Sequence, residues 1–220
     1  MIKTVIFDFN GTLVDDNYPN RVAWLQIIKE IVGDKINIEE FYEPRRSVRN
    51  YLLIKDAFEA VGNPQSDDVI NAWAHKKEEY YQKYIKDNNF NQLRPGAIEL
   101  LDYIKGRYKT IGLCTSSILF NTNFYYSNYG IGKWFDMEHT VYDTGEYNNK
   151  VMMYQECARR LGVDPKDVLV FEDTAKSINE AIKAGCQSVV AINNLGIPEL
   201  PEIKQFINDF TEFDKTLLDK

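Results

Sequence analysis

Cysteine and histidine are scarce in this chain: three of the first and two of the second in 220 residues. Cys114, Cys157 and Cys186 are odd in number and far apart, each in an apolar or helical context, so they read as reduced core thiols rather than a disulfide framework. His75 and His139 are isolated and lack ligand spacing, which argues against an imidazole-built metal centre. An excess of basic charge is also missing. With 26 Lys and Arg against 33 Asp and Glu, the formal net charge is −7, whereas a nucleic-acid partner or an anionic membrane requires a basic footprint. No apolar run approaches the length of a membrane span, and the opening MIKTVIF is too sparing in apolar residues for a signal peptide. A cytoplasmic location is expected. There is no internal repeat and no low-complexity segment.

What remains is an ordinary globular composition, 44% hydrophobic and 27% charged, in a chain long enough for one good core plus an inserted subdomain. Residues 3 to 9 (KTVIFDF) are β-branched and aromatic and run into Gly11, the pattern of a buried strand closed by a turn. From about Tyr18 to Asn91 the texture changes. VAWLQIIKEIV, SVRNYLLIKDAFEAVG and DDVINAWAHKKEEYYQKYIKD all carry apolar residues at helical spacing, which predicts roughly three or four helices uninterrupted by strands.

Beyond this stretch, helices and strands alternate. A helix begins near Pro95 and Gly96, YKTIGLC forms a strand ending at Thr115, and a helix is expected from Ser117 to Tyr129. A short strand is expected near Asp136 to Val141, then a helix from Lys150 to Leu161, the strand DVLVFED, a helix closed by Gly185, and the strand CQSVVAI. Alternation of this kind predicts an α/β fold with a mainly parallel sheet covered on both faces. The expected domains are an α/β core formed by residues 1–16 and 92–220 and an all-helical insertion over 17–91.

Three predicted strands end in polar residues: Asp8 after the first, Thr115 after the next, Glu172 and Asp173 after a later one. In an open parallel sheet ligands bind beyond the carboxyl ends of the strands, so these residues should converge although they lie far apart in sequence. Lys150, opening a helix, could join them. Asp8, Glu172 and Asp173 offer hard oxygen ligands for Mg²⁺, which would offset the repulsion of a carboxylate attacking a phosphate. Thr115 and Lys150 would hold the equatorial phosphoryl oxygens. The implied reaction is phosphoryl transfer through an aspartyl-phosphate on Asp8.

These residues stand in FDFNGTL, IGLCTSS, NNKVMMY and VLVFEDTAKSINEAIKAG, and the ordered set resembles the four motifs of the haloacid dehalogenase-like hydrolases. The likeness runs over nearly the whole chain. It implies a Rossmann-like core with a helical cap inserted after the first motif, as in the phosphoglycolate phosphatase and β-phosphoglucomutase branch. Asp8 would be nucleophile and metal ligand, the backbone carbonyl of Asn10 a second ligand, and Asp173 with Glu172 the remaining ones. Thr115, Ser116 and Lys150 would contact the phosphoryl group of a small phosphorylated metabolite. The family often follows its lysine with prolines; here Val151 and Met153 follow.

The main departure is Asn10. The family places there an acid that protonates the leaving alkoxide and then activates water, and an amide cannot exchange a proton at neutral pH. A Mg²⁺-dependent phosphatase slowed by Asn10 is the first expectation, with a phosphomutase or a low-turnover phosphate-binding protein as alternatives. Asp15 and Asp16 read as turn or capping residues. Arg45, Arg46 and Arg49 read first as a solvated helix start; facing the crevice, Arg45 and Arg46 would bind the anionic end of a substrate. The tyrosine-rich KEEYYQKY and NFYYSNYG segments read as amphipathic packing rather than a base-stacking surface.

Overall fold

The computed structural model describes residues 1–46, 48–108, 110–193 and 196–219. The four-residue strand β1 (Thr4–Phe7) is entirely buried, as expected for a β-branched and aromatic run with sheet on both sides. Its neighbours are β2 (Gly112–Ile118) and β4 (Val168–Glu172), both parallel to it. Together with β3 (Thr140–Asp143), β5 (Ser188–Ile192) and β6 (Ile203–Ile207) they form one parallel sheet of order β3-β2-β1-β4-β5-β6. Thr4 lies opposite Val168 and Phe7 opposite Phe171, and the Phe7 and Phe171 rings stack with centroids 4.6 Å apart. That register brings the ends of β1 and β4 level. The order also places the strand-order reversal beside β1, where an open α/β sheet forms its crevice.

The chain divides into two compact units, residues 1–15 with 92–220 and residues 16–91. The first holds the sheet, with α5 (Ala97–Arg107), α6 (Leu119–Asn128), α7 (Lys150–Leu161) and α8 (Ala175–Lys183). One part of its core joins Ile6, Cys114, Val170 and Val189 to Met153, Tyr154 and Cys157 of α7. All three cysteines are buried and free.

Residues 16–91 contain α1 (Asn17–Val32), α2 (Ile38–Tyr42), α3 (Asn50–Ala60) and α4 (Asp67–Asp87). Trp24, Ile27, Ile28, Leu53, Ile54, Phe58 and Ile70 make up much of their core. The KKEEYYQK segment is less simply amphipathic than its pattern predicts, because Lys77 and Glu78 are buried. The Lys77 ammonium donates to Asn20 Oδ1 at 2.5 Å and pairs with Glu78 at 3.2 Å. It also lies over the Trp24 ring. Solvation of two adjacent charges is thus exchanged for a hydrogen-bonded pair.

Two local expectations need adjustment. The strand expected to end at Thr115 continues to Ile118, and the helix expected from Ser117 begins at Leu119. Hydrogen bonds explain the delay: Ser117 N–H donates to Thr115 Oγ1, and the Ser117 hydroxyl reaches across to Asn10. These side chains reward an extended backbone over a helical one.

Candidate active site

Three strand ends and one helix start build the site. The Asp8 amide donates to the Phe171 carbonyl at 3.0 Å, continuing the β1–β4 ladder by one bond and holding the aspartate at the sheet edge. The chain then turns through Gly11, at φ +75°. Arg94 secures this turn: its guanidinium donates to the Gly11 carbonyl at 2.8 Å, its backbone N–H donates to the Leu13 carbonyl at 2.8 Å, and it pairs with Asp15 at 3.5 Å. Arg94 was not singled out by the sequence, since nothing in LRPG indicates a partner 83 positions upstream.

Lys150 enters as the first residue of α7, whose start is capped by the Asn149 side chain accepting from Met152 N–H. Its ammonium is buried between two carboxylates, 2.9 Å from Asp8 Oδ1 and hydrogen-bonded to Glu172 Oε1. The same Glu172 oxygen accepts from the Tyr154 hydroxyl at 2.7 Å, and Glu172 Oε2 accepts the Asp173 N–H at 2.9 Å. Glu172 therefore acts as an anchor: fully buried, it fixes Lys150, and Lys150 in turn faces Asp8. Tyr154 was also not singled out by the sequence; four residues after Lys150, it lies on the same helical face.

One ligand atom each from Asp8, Glu172 and Asp173 falls within a 4.8 Å cluster. Burial raises the pKa of Asp8 and, still more, that of Asp173; for Asp173, repulsion from Glu172 and Asp8 adds to burial, and for Asp8, Lys150 pulls the other way. Burial disfavours the Lys150 ammonium, but Asp8 and Glu172 together outweigh it and hold the charge. Two buried carboxylates and a half-buried third cluster around one ammonium. A divalent cation bound by oxygen would relieve that imbalance, so this donor set fits Mg²⁺. Haloacid dehalogenase-like hydrolases, the family resembled by the motifs, generally use it.

A pH consequence follows. A carboxyl whose pKa is raised on folding supports the fold while protonated and opposes it once ionised, so this support is lost as pH rises through the raised value. In EDTA, Tm is expected to fall as pH rises from the ordinary carboxylate range through neutrality. Asp173→Asn should flatten that slope and reduce the rise in Tm produced by Mg²⁺. Parallel melts of both proteins at several pH values check this; an unchanged slope in the variant would remove Asp173 from the account.

Gly11 supplies a second test. A Cβ at this position would lie 2.0 Å from Asp173 Oδ2, and the positive φ costs any other residue roughly 1–2 kcal/mol. Gly11→Ala is expected to lower Tm and to displace the Asp173 carboxylate. A Mg²⁺ titration followed by thermal shift should move to higher concentration; an unmoved titration would show that the turn tolerates the methyl group.

Asn10 follows Asp8 by two residues. Its Oδ1 accepts from Ser117 Oγ at 2.8 Å and from the Tyr125 hydroxyl at 3.0 Å, and these two hydroxyls are 2.8 Å from each other. The Tyr125 ring stacks on Phe9 with centroids 3.9 Å apart. Thr115 is buried within the same strand that carries Ser117, and Ser116 between them is exposed. The structure thus brings Asp8, Asn10, Thr115, Lys150, Glu172 and Asp173 to one edge of the sheet. Arg45 and Arg46 belong to the helical unit and have partners within it. Arg45 donates to the Phe41 carbonyl at 2.8 Å and pairs with Asp56 at 3.4 Å, while Arg46 pairs with Glu43 at 2.5 Å.

The model of the haloacid dehalogenase-like hydrolase family matches residues 2–185. The chain belongs to this family of hydrolases. Among curated relatives, validoxylamine A 7'-phosphate phosphatase of Streptomyces hygroscopicus subsp. limoneus is 24% identical over 217 residues, covering 96% of each chain. Among solved structures, the HAD hydrolase, family IA, variant 3 from Entamoeba histolytica superposes with a TM-score of 0.86 at 26% identity, covering 99% of this chain and 97% of that one. A mutant of CbbY from Rhodobacter sphaeroides, in complex with xylulose-(1,5)-bisphosphate, shares the fold at a TM-score of 0.79 and 20% identity, covering 96% of each chain. Among the described residues, no helix of this hydrolase is long and apolar enough to cross a membrane.

Proposed function

We propose that this hydrolase is a Mg²⁺-dependent phosphatase that transfers the phosphoryl group of a small phosphorylated metabolite to Asp8 and then to water. The observation that carries this reading is the buried contact between Asp8 and Lys150 inside a cluster of three carboxylates at the carboxyl edge of a parallel sheet. Asp8 supplies the attacking oxygen. Lys150, held by Glu172, offers a fixed positive charge to the phosphoryl oxygens, and Thr115 with Ser116 offers hydroxyl donors beside it. Asp8, Asp173 and the backbone carbonyl of Asn10 would hold Mg²⁺, with Glu172 serving chiefly as the anchor of Lys150. The bound cation supplies charge that offsets the repulsion between carboxylate and phosphate.

A relative named as a phosphorylated carbohydrates phosphatase and the neighbour in complex with xylulose-(1,5)-bisphosphate support a phosphorylated carbohydrate as substrate class. The helical unit would act as the cap that excludes water, with Arg45 and Arg46 as candidate contacts to a second anionic group of the substrate.

Asn10 tests the reading. General acid-base catalysis is worth roughly 10²- to 10⁴-fold, so Asn10→Asp is expected to raise turnover of an alkyl phosphate within that range. Steady-state assays with Mg²⁺ across a panel of sugar phosphates measure the gain. If Asn10→Asp folds normally and leaves the whole panel untouched, the phosphatase reading fails.

A further inference from the structure

We infer that this site, as it stands with Asn10, is geared to phosphates whose leaving group departs without a proton, acyl phosphates above all, and that the phosphoryl group then persists on Asp8. The inference rests on the reading of Asp8 as nucleophile and goes beyond it in naming the donor class and the fate of the intermediate.

The position-10 side chain is held in one orientation. Two hydroxyls, one from the end of β2 and one from α6, converge on Asn10 Oδ1. Stacking of the Tyr125 ring on Phe9 keeps the second in place. Since Oδ1 is the edge that accepts, the opposite edge of the amide is its NH₂, which donates hydrogen bonds and never releases a proton near neutrality. An amide at this position can offer a developing negative charge a hydrogen bond but no proton.

Two proton-bearing groups near Asp8 have tasks of their own. The Lys150 ammonium is divided between Asp8 and Glu172, and the Tyr154 hydroxyl points at Glu172. A departing alkoxide is strongly basic and requires a proton as the bond breaks. A departing carboxylate requires none. With an acyl phosphate, an Asp8 oxygen bonds to phosphorus, the bond between phosphorus and the acyl oxygen breaks, and its electron pair leaves on a stable carboxylate.

The return step has the opposite balance. A water oxygen must bond to phosphorus, a water proton must go to solvent, and the electron pair of the broken bond must return to Asp8. An amide at position 10 cannot accept that proton. Donor hydrogen bonding therefore favours charging Asp8 while leaving discharge slow.

The test uses acetyl phosphate and glycerol phosphate, each with Mg²⁺, on the full chain and on Asn10→Asp. Phosphoryl transfer is followed by intact mass and by peptide mapping. The full chain is expected to prefer acetyl phosphate by roughly 10²-fold or more. It should retain one phosphoryl group on the Asp8 peptide after the donor is removed. In Asn10→Asp the preference should shrink, and the phosphoprotein should decay at least roughly tenfold faster. Tyr125→Phe keeps the ring on Phe9 and is expected to slow labelling by acetyl phosphate several-fold without moving the Mg²⁺ thermal shift. Failure of acetyl phosphate to label the full chain while Asn10→Asp turns over glycerol phosphate would overturn the inference and leave the phosphatase reading standing. Comparable rates for the two donors on the full chain would also overturn it. Inertness of both proteins towards both donors would overturn the phosphatase reading as well.

Discussion

Asp8→Asn is expected to abolish phosphate release and at the same time to make the metal-free protein more heat-stable. Loss of a nucleophile commonly costs an enzyme roughly 10⁴-fold or more, because no other group occupies the same attacking position. The stability gain comes from the same placement. Asp8 is buried, and burial with the Glu172 charge pushes its carboxyl towards the protonated form despite Lys150. An amide of equal size removes one of three clustered carboxylates and leaves Lys150 paired with Glu172. Melts in EDTA should therefore rise while activity disappears. A simply misfolded variant would lose both, and the opposite signs separate the two explanations.

Lys150→Met should show losses on both axes. Removing one partner of a buried ion pair leaves its counter-charge uncompensated and costs roughly 3–5 kcal/mol. Here two carboxylates, Asp8 and Glu172, would be left facing each other without the ammonium between them. Chemical denaturation should report a loss in that range. Activity should fall by roughly 10²- to 10³-fold, the usual cost of deleting one preorganised donor to a transition-state oxyanion. Mg²⁺ is expected to recover part of the Tm and little of the rate, because the cation would relieve the carboxylates but would not replace the hydrogen bonds that Lys150 would give to the phosphoryl oxygens. Full recovery of activity in Mg²⁺ would reduce Lys150 to a structural role.

The alternation of apolar strands and amphipathic helices made the α/β architecture legible, and the polar residues at the ends of DF, LCT and FED marked the edge where function gathers. Parallel strands buried on both faces must be apolar throughout, so a polar residue at their carboxyl ends stands out. Asp8, Lys150, Glu172 and Asp173 could be found this way because each is fixed to the start or end of an element. The last strand, IKQFI, was not legible: it alternates weakly, lies at the sheet edge and is only partly buried.

Residues that act through others were harder to see. Tyr154 looked like one more apolar position of α7, and its hydroxyl gains meaning only once Glu172 is known to end β4 beside it. The clamp on Asn10 draws on Ser117 and Tyr125, more than a hundred residues away. Ser117 read as the start of a helix, and Tyr125 belonged to a tyrosine-rich run whose pattern spoke only of packing. Lys77 and Glu78 sit in a run of charges that ordinarily marks a solvated face, and only the placement of Asn20 and Trp24 on α1 explains their burial. Periodicity reports which face of an element is apolar. It carries no information about which polar atoms will meet across elements.

The central claim is that Asp8 carries the phosphoryl group in a cation-dependent reaction. Its most direct test is a rapid acid quench during turnover of an aryl phosphate, followed by peptide mapping. With Mg²⁺ present, a single phosphoryl group should be found on the peptide containing Asp8, labile to hydroxylamine and absent when EDTA replaces the metal. Phosphate release that proceeds with the phosphoryl group on another residue, or at an unchanged rate in EDTA, would contradict the account.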